Sequence, residues 1–305
     1  MTLITRTDDL ARHCSAWAGA PYITIDTEFI RESTYWPRLC LVQIAGPEDG
    51  SGGDEAAIDP LADGIDLQPL FDLMANPSVL KVFHAARQDL EIFVKLTGSV
   101  PAPIFDTQVV AMVCGYGDQV GYETLVNKIA KASIDKSARF TDWAKRPLTD
   151  RQLSYAMADV THLRKIYDVL SAELERAGRA EWVEEEMEIL SSVETYQVDP
   201  REAWRRIKSR GAKPRVLAIL RELAAWRETE AQRRDMPRNR LIRDEALLEI
   251  AASGPRTVED LARTRGLSKG QAEGRMGQDL LAAVETARAL NESDWPAFER
   301  RPDIL

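Results

Sequence analysis

Apolar and polar side chains alternate from Tyr22 to Phe29, and this pattern predicts a β-strand. Ile23 and Ile25 are β-branched, as strand residues often are. Residues two apart on a strand face the same way, so the strand would present Asp26 and Glu28 side by side. Two interpretations account for this pair: carboxylates solvated at the end of a strand, or oxygen ligands for a divalent cation.

The pattern around this strand predicts an α/β domain. Leu10, Cys14 and Trp17 have helical spacing, and Asp8 and Asp9 are candidate caps of that helix. A turn is predicted at 31–38, further strands at 39–45, 55–59, 79–83 and 104–106, a loop at 46–53, and further helices at 67–74, 89–96, 108–113, 121–131 and 149–176. The first three strands suggest an antiparallel meander, after which helices and strands alternate, so we expect a mixed sheet flanked by helices.

A boundary follows near Pro200, and beyond it only helical periods are visible. Helices are predicted at 215–235, 243–252, 257–263, 268–273 and 277–290. Short helices separated by Gly and Pro suggest a small bundle. The predicted division is a first domain at 1–200, a basic linker at 201–212, a helical domain at 213–291 and a tail at 292–305.

Charge is distributed unevenly along the 305 residues, whose formal net charge is −9. Residues 1–200 carry 18 basic and 32 acidic side chains, whereas residues 201–245 carry 14 basic and 7 acidic ones. A basic segment therefore follows an acidic domain. Three scattered cysteines and three histidines argue against a disulfide framework or a zinc site. Without a signal-peptide pattern or a long apolar run, we expect a cytoplasmic protein that does not enter membranes.

Two further motifs carry acidic groups. Asp89 follows a strand-to-helix turn, where a carboxylate can simply stabilise the N-terminus of the helix. Tyr155 and Asp159 are four residues apart on a predicted helix and would share one face, as surface pairs often do. Each motif alone has this ordinary interpretation.

The combination of these motifs is more specific. Asp-x-Glu on a first strand, Asp after a strand-to-helix turn and Tyr-x-x-x-Asp on a late helix resemble the four-acid (DEDD) 3′→5′ exonuclease superfamily in its tyrosine branch. The segments IDTEFIREST, KVFHAARQDLEIF, FDTQVVAMVCGYG and TDWAKRPLTDRQLSYAMADV resemble the ribonuclease D family residue by residue. Residues 213–290 resemble its helical HRDC domain. The resemblance implies a ribonuclease H-like α/β exonuclease domain followed by a small all-α bundle.

The resemblance also implies a set of roles. Asp26, Glu28 and Asp159 would hold one divalent cation, Mg²⁺ or Mn²⁺, and Asp26 with Asp89 would hold a second. Tyr155 would orient the attacking water, because a phenol with an ordinary pKa near 10 is a poor base at neutral pH. Some family members carry a second HRDC domain beyond the first, where this sequence ends. Since all the catalytic positions match, this departure bears on substrate handling.

Candidate substrate contacts have alternative interpretations. His84 could contact the terminal nucleotide or be a structural histidine, and Trp36 could stack on a base. Arg38, Lys136 and Arg139 could meet phosphates or be solvated. Asp106 and Asp142 are interpreted as structural, Asp106 as a helix cap. The basic segment, with Trp204, Arg205, Arg206 and Lys208, could bind RNA phosphates or pack against the acidic domain.

The resemblance therefore predicts a metal-dependent 3′→5′ exoribonuclease that trims structured RNA, such as tRNA precursors, from a free 3′ end and releases 5′-mononucleotides. Two alternatives stay open: a DNA exonuclease of the same superfamily, because sugar choice depends on contacts to the 2′-hydroxyl, and a non-catalytic RNA-binding scaffold. The intact set of four acids argues against the scaffold. No obligatory protein partner is evident from the sequence.

Overall fold

Residues 2–50, 53–209 and 211–296 are described by the structure, which is a computed structural model. They belong to two compact units. The first unit contains the chain up to Arg31 and Pro37–Gln197, and the second contains Glu32–Trp36 and the chain from Val198 onwards. The observed division thus lies close to the predicted one near residue 200, but the segment Glu32–Trp36 was predicted to be a turn of the first domain.

A mixed six-stranded sheet organises the first unit. Its strands are β1 (Thr2–Ile4), β2 (Tyr22–Ile30), β3 (Arg38–Ala45), β4 (Ala56–Ile58), β5 (Leu80–Phe83) and β6 (Ile104–Asp106). The order across the sheet is β1-β4-β3-β2-β5-β6. β3 is antiparallel to both β2 and β4, whereas β5 is parallel to both β2 and β6. The predicted meander and the mixed sheet are confirmed.

Helices flank this sheet. They are α1 (Thr7–Trp17), α2 (Gln68–Ala75), α3 (Arg87–Thr97), α4 (Thr107–Val113), α5 (Tyr122–Leu125) continuing as a π-helical turn (Val126–Ala130), α6 (Asp150–Ala177) and α7 (Ala180–Ser191). α6 begins with a capping box, in which Thr149 and Gln152 each bond the other's backbone N–H. Along α6, residues such as Leu153, Ala156 and Val160 are buried at helical spacing, which fixes the face that the helix turns inward.

Two details of the N-terminal region differ from the prediction. A short strand, β1, precedes α1. It was not predicted, because three residues are too few to show a period. Arg6 occupies the N-cap position without a side-chain cap, and Asp8 and Asp9 lie in the first helical turn instead. The predicted cap at Asp106 is confirmed, since its carboxylate accepts a hydrogen bond from the Gln108 N–H.

The second unit is helical. It contains α8 (Pro214–Arg234), α9 (Arg238–Leu241), α10 (Asp244–Ser253), α11 (Val258–Leu261), α12 (Lys269–Glu273) and α13 (Arg275–Arg288), with 3₁₀ turns at Pro200–Arg206 and Glu292–Asp294. Its core contains Leu220, Leu223, Leu247 and Leu280, all fully buried. The predicted bundle is confirmed, although α9 was not predicted. Of the predicted tail, residues 297–305 lie outside the described part of the chain.

The segment predicted to be a basic linker is part of this bundle. Trp204 and Ile207 are buried in its core, whereas Arg205, Arg206 and Lys208 are exposed. The prediction of a linker was wrong, because the many basic residues drew attention away from the apolar residues Trp204 and Ile207 between them. Trp204 consequently belongs to the core, and only the charged residues remain candidates for phosphate contact.

A buried polar network holds the segment Glu32–Trp36 in the second unit. Tyr35 is buried, its hydroxyl donates to the Glu228 carboxylate, and the Arg238 guanidinium pairs with the same carboxylate and lies 4.7 Å from the Tyr35 ring centre. The backbone N–H groups of Tyr35 and Trp36 both donate to Asp235. The chain that leaves β2 is therefore fixed by side chains located about 200 positions later.

None of the helices in the described ranges combines the length and the apolar character that crossing a membrane requires.

Candidate active site

Three carboxylates from two elements meet beside the sheet. Asp26 and Glu28 lie on β2, and Asp159 lies on α6, which packs against β2 and β3. One carboxylate oxygen from each can be chosen so that all three lie within 4.8 Å of one another. The alternation of β2 points Asp26 and Glu28 to one side, and the packing of α6 brings Asp159 to them.

Asp89 adds a fourth carboxylate. It lies in the first turn of α3, is 7% exposed, and accepts a hydrogen bond from the Thr27 hydroxyl. Its negative charge raises the pKa values of Asp26 and Glu28, so it belongs to the same electrostatic cluster. The helix dipole stabilises a negative charge in this position.

Burial of these four acids disfavours their ionised forms. Burial raises the pKa of Asp26 well above its usual range, and the charges of Asp159, Asp89 and Glu28 raise it further. Burial, followed by Asp159 and Asp89, raises the pKa of Glu28 to about 9. Burial likewise raises the pKa of Asp89 to about 7 and that of Asp159 to about 7. Additional positive charge would therefore stabilise the ionised form of this cluster.

The cluster has the chemistry of a site for hard cations. Within the described ranges, none of the four acids forms an ion pair with lysine or arginine. Gln43, the cross-strand neighbour of Asp26, is fully buried, and its side-chain amide has no hydrogen-bond partner among the described residues. Carboxylate and amide oxygens are ligands that Mg²⁺ and Mn²⁺ accept. The residues therefore fit a divalent metal.

Tyr155 lies one helical turn before Asp159. Its hydroxyl lies close enough to the Asp159 carboxylate to lower the pKa of that acid, and its ring lies 6.2 Å from that of Trp143. Burial raises the pKa of Tyr155, and the negative charges of Asp159 and Glu28 raise it further. The phenol therefore stays protonated at neutral pH and acts as a hydrogen-bond donor or acceptor that positions other groups.

Replacing Tyr155 with Phe should lower kcat by about 10-fold to 100-fold, because one positioning hydrogen bond to a charged or reacting group is lost while the ring remains. The measurement is single-turnover hydrolysis of an RNA oligomer. KM should change little, and a plot of log kcat against pH should keep its shape. Unchanged turnover would remove Tyr155 from the mechanism, and a shifted pH profile would show that it titrates.

The structure adds residues that the sequence analysis missed. The Tyr122 hydroxyl donates to the carbonyl of Ala158, next to Asp159, and burial and then the charge of Asp159 raise the pKa of Tyr122. Thr27 and Gln43 are two further residues that the sequence analysis missed. Polar residues inside an apolar strand were the available signal for Thr27 and Gln43, whereas nothing in the sequence around Tyr122 distinguished it.

The predicted substrate contacts have different surroundings. His84 is half-buried, its Nδ1 lies 2.9 Å from the Thr107 hydroxyl, and its Nε2 has no hydrogen-bond partner within the described chain. Arg38 is exposed at the start of β3, whereas Trp36 belongs to the second unit. The charge of Arg139 lowers the pKa values of both Glu28 and Asp159, so this arginine is close to the acidic cluster.

Comparison with known proteins identifies the family of this chain. Residues 1–175 match the 3′-5′ exonuclease family and residues 216–284 match the HRDC domain. A ribonuclease D from Jannaschia sp. (strain CCS1) is 54% identical over 300 residues, which are 98% of this chain and 78% of that relative. The chain belongs to the ribonuclease D family. This ribonuclease D homologue is accordingly a 3′→5′ exoribonuclease of a metal-dependent family, and the resemblance inferred from the sequence is confirmed.

Solved structures agree with this assignment. The crystal structure of Escherichia coli RNase D, an exoribonuclease involved in structured RNA processing, aligns with a TM-score of 0.83 and 36% identity. That alignment covers 97% of this chain and 77% of the other. NrnC from Brucella melitensis with bound Mg²⁺ aligns with a TM-score of 0.54 and 25% identity, over 70% of this chain and 100% of the other. The predicted fold class of this ribonuclease D homologue is thereby confirmed.

Proposed function

We propose that this enzyme trims the 3′ ends of structured RNA, such as tRNA precursors, by hydrolysis that uses two divalent cations and releases 5′-mononucleotides. The observation that carries the proposal is the convergence of four carboxylates, Asp89 buried and the other three half-buried, that form no ion pair with lysine or arginine within the described chain. Bound cations would supply charge neutralisation and activation of water. The similarity to E. coli RNase D, an exoribonuclease involved in structured RNA processing, supports the choice of substrate.

The residues divide the work as follows. Asp26, Glu28 and Asp159 would hold one cation, and Asp26 with Asp89 would hold the other. Tyr155 accepts or donates a hydrogen bond that orients the attacking water. Arg139 is available to meet the phosphate next to the acids, since its charge already acts on Glu28 and Asp159. His84 offers its unpartnered Nε2 to the terminal nucleotide.

The direction of cleavage can be tested with an RNA oligomer labelled at its 5′ end. We expect a descending ladder with Mg²⁺ or Mn²⁺ and no products with EDTA, because mononucleotides leave one at a time from the 3′ end. A DNA oligomer of the same sequence should be cleaved more slowly if contacts to the 2′-hydroxyl contribute to binding. Cleavage of a circular RNA would exclude an exonuclease, and faster cleavage of DNA would favour the DNA alternative.

The exposed basic residues of the second unit are proposed to bind the body of the RNA. Arg205, Arg206 and Lys208 are exposed, and although Arg205 pairs with Glu202, neither Arg206 nor Lys208 forms an ion pair within the described ranges. HRDC domains bind nucleic acids, which agrees with this role. Point variants test it better than truncation, since Glu32–Trp36 belongs to the same unit and would lose its contacts.

A variant with Arg205, Arg206 and Lys208 all changed to Ala should bind RNA less tightly and with a weaker dependence on salt. Each lost phosphate contact lowers the slope of log affinity against log salt by about 0.7 on a single strand. The chemical step on a short oligomer should be unaffected, because remote uniform binding changes KM more than kcat. A control that replaces the exposed Arg12, Lys165 and Arg176 with Ala removes the same charge. Equal slopes for both variants would contradict a binding role for the segment.

A further inference from the structure

A cleft of about 400 Å³ opens in the second unit, and none of the residues discussed so far lines it. It lies where α10 ends, and residues of α11 and α13 line its other sides. Three arginines line it, Arg256, Arg263 and Arg288, together with the acidic residues Glu249 and Asp260. Guanidinium groups match the geometry of phosphate and carboxylate oxygens, so three of them around one small cleft suit an anionic partner.

Arg288 is the buried member of this group. Its side chain is 14% exposed, and its Nη2 donates to the carbonyl of Gly254, the residue that follows α10. Its Nε and Nη1 are buried and have no hydrogen-bond partner within the described chain. Glu285 is 3.6 Å from Nη1, which is an ion-pair distance without a hydrogen bond. Buried donors are nearly always satisfied, so the two open donors are available to a ligand in the cleft.

The backbone at the end of α10 holds the guanidinium in place. Gly254 has φ +54°, a left-handed conformation that favours glycine. A Cβ at this position would lie 3.3 Å from the Arg288 Nη2 and 3.5 Å from the Ile219 Cδ1. Glycine therefore leaves the space in which the Arg288 guanidinium reaches the carbonyl of residue 254.

Both acidic residues that line the cleft have partners of their own. Asp260 lies 3.6 Å from Arg263, and Glu249 accepts a hydrogen bond from the backbone N–H of Arg265. Arg256 is exposed and forms no ion pair among the described residues. Three arginines outnumber the two acidic residues that line the cleft, and their guanidinium forks suit phosphate oxygens.

We propose that this cleft binds a phosphate group, with Arg288 at its base and Arg256 and Arg263 at its mouth. The source of that phosphate is assigned to the backbone of the RNA substrate, and this part rests on the proposed function. Inorganic phosphate has the same chemistry, so it serves as the probe for the cleft itself.

The first experiment measures binding of inorganic phosphate to the full-length protein by calorimetry, at constant ionic strength adjusted with chloride. Arg256→Ala with Arg263→Ala should weaken phosphate binding by at least about 10-fold, since two charged contacts are lost. The matched control is Arg265→Ala with Arg275→Ala, which removes two exposed arginines of the same unit that do not line the cleft. Equal losses in both double variants, or no phosphate binding by the unaltered protein, would overturn the proposal.

Arg288→Lys tests the base of the cleft. An ammonium group cannot reproduce the guanidinium fork, so phosphate affinity should fall by about 10-fold or more while circular dichroism confirms an unchanged helical content. If this variant does not fold, the pair at the mouth still decides the outcome, because Arg256 and Arg263 are exposed. Unchanged phosphate affinity in folded Arg288→Lys would overturn the assignment of Arg288.

The second experiment identifies the source. The inactive Asp26→Asn protein, with and without each double substitution, is titrated with a structured RNA in EDTA. Weaker RNA binding in the Arg256→Ala, Arg263→Ala protein than in the matched control supports the RNA backbone as the source. Lost phosphate binding with equal RNA binding would keep the cleft as a phosphate site and overturn the RNA assignment. Failure of the exonuclease proposal is seen separately, as the absence of a ladder from a short oligomer.

Discussion

Asp26→Asn should reduce RNA hydrolysis by about 10³-fold at saturating Mg²⁺, because Asp26 is the one carboxylate proposed to contact both cations and each cation stabilises transition-state charge by several kcal/mol. The substitution preserves the size of the side chain and removes only its charge. The measurement is single-turnover hydrolysis of a 5′-labelled oligomer across a range of Mg²⁺ concentrations. Near-normal turnover at high Mg²⁺ would exclude the proposed ligand assignment.

Thermal unfolding separates loss of a ligand from loss of the fold in this variant. The raised pKa values of Glu28, Asp89 and Asp159 mean that the folded state binds more protons than the unfolded state. The stability of the metal-free protein should therefore fall as the pH rises from about 4, the ordinary pKa of a carboxyl group, towards 9. In EDTA at pH 8, Asp26→Asn should melt at a higher temperature than the unaltered protein, because the amide replaces a carboxyl group whose ionised form the folded state disfavours.

The metal response completes this test. Mg²⁺ should raise the melting temperature of the unaltered protein by binding only its folded state, and the variant should respond much less. Glu91→Gln is a matched control, since Glu91 lies on α3 beside the cluster residue Asp89 but pairs with Arg31 instead. This control should keep both its activity and its response to Mg²⁺.

Arg238→Met should destabilise the second unit by about 3 kcal/mol, because it leaves the fully buried Glu228 carboxylate without its counter-charge. Methionine keeps the apolar part of the side chain, so the lost charge dominates the effect. Urea unfolding of the full-length chain, followed by circular dichroism, measures the change. Arg233→Met is the matched control on α8, since its partner Glu230 also pairs with Arg234, and it should change stability by less than about 0.5 kcal/mol.

The pH dependence of this variant follows from Glu228. Burial by itself would raise the pKa of Glu228, but hydrogen bonds from Arg238 and Tyr35 and the charge of Arg238 lower it overall. A carboxyl group with a lowered folded pKa contributes stability above its ordinary pKa, and this contribution is lost as the pH falls through the folded value. The difference between Arg238→Met and the unaltered protein should therefore shrink in acid. A difference that stays constant with pH would show that packing, and not charge, holds the network.

Much of the fold could be predicted from the sequence, because strands and helices leave local patterns of apolar and polar residues. The alternation around Asp26 predicted β2, and helical spacing predicted α6 and most of the bundle. Strand periodicity also placed Asp26 and Glu28 on one side, and helical spacing placed Tyr155 beside Asp159. The convergence of these residues with Asp89 was inferred from family resemblance, since no local pattern brings residues 26, 89 and 159 together.

Other features arise only from the tertiary structure. Residues 201–212 were predicted to be a linker because their charge is obvious, but the burial of Trp204 makes them part of the bundle. The segment Glu32–Trp36 was predicted to be a turn, but its partners Glu228 and Asp235 are about 200 residues away in sequence. The open donors of Arg288 likewise could not be predicted from the sequence, because they depend on the position of Gly254 after the end of α10.

The sequence by itself thus determined most of the secondary structure, the division into an acidic and a basic region, and the candidate carboxylates, because periodicity, charge and motif are properties of neighbouring residues. The tertiary structure decided which of those carboxylates are buried together, with pKa values raised accordingly, and which buried polar groups are paired or open. Burial and pairing depend on contacts between residues distant in the chain, and desolvation, which sets the charge state of this site, exists only once those contacts have formed.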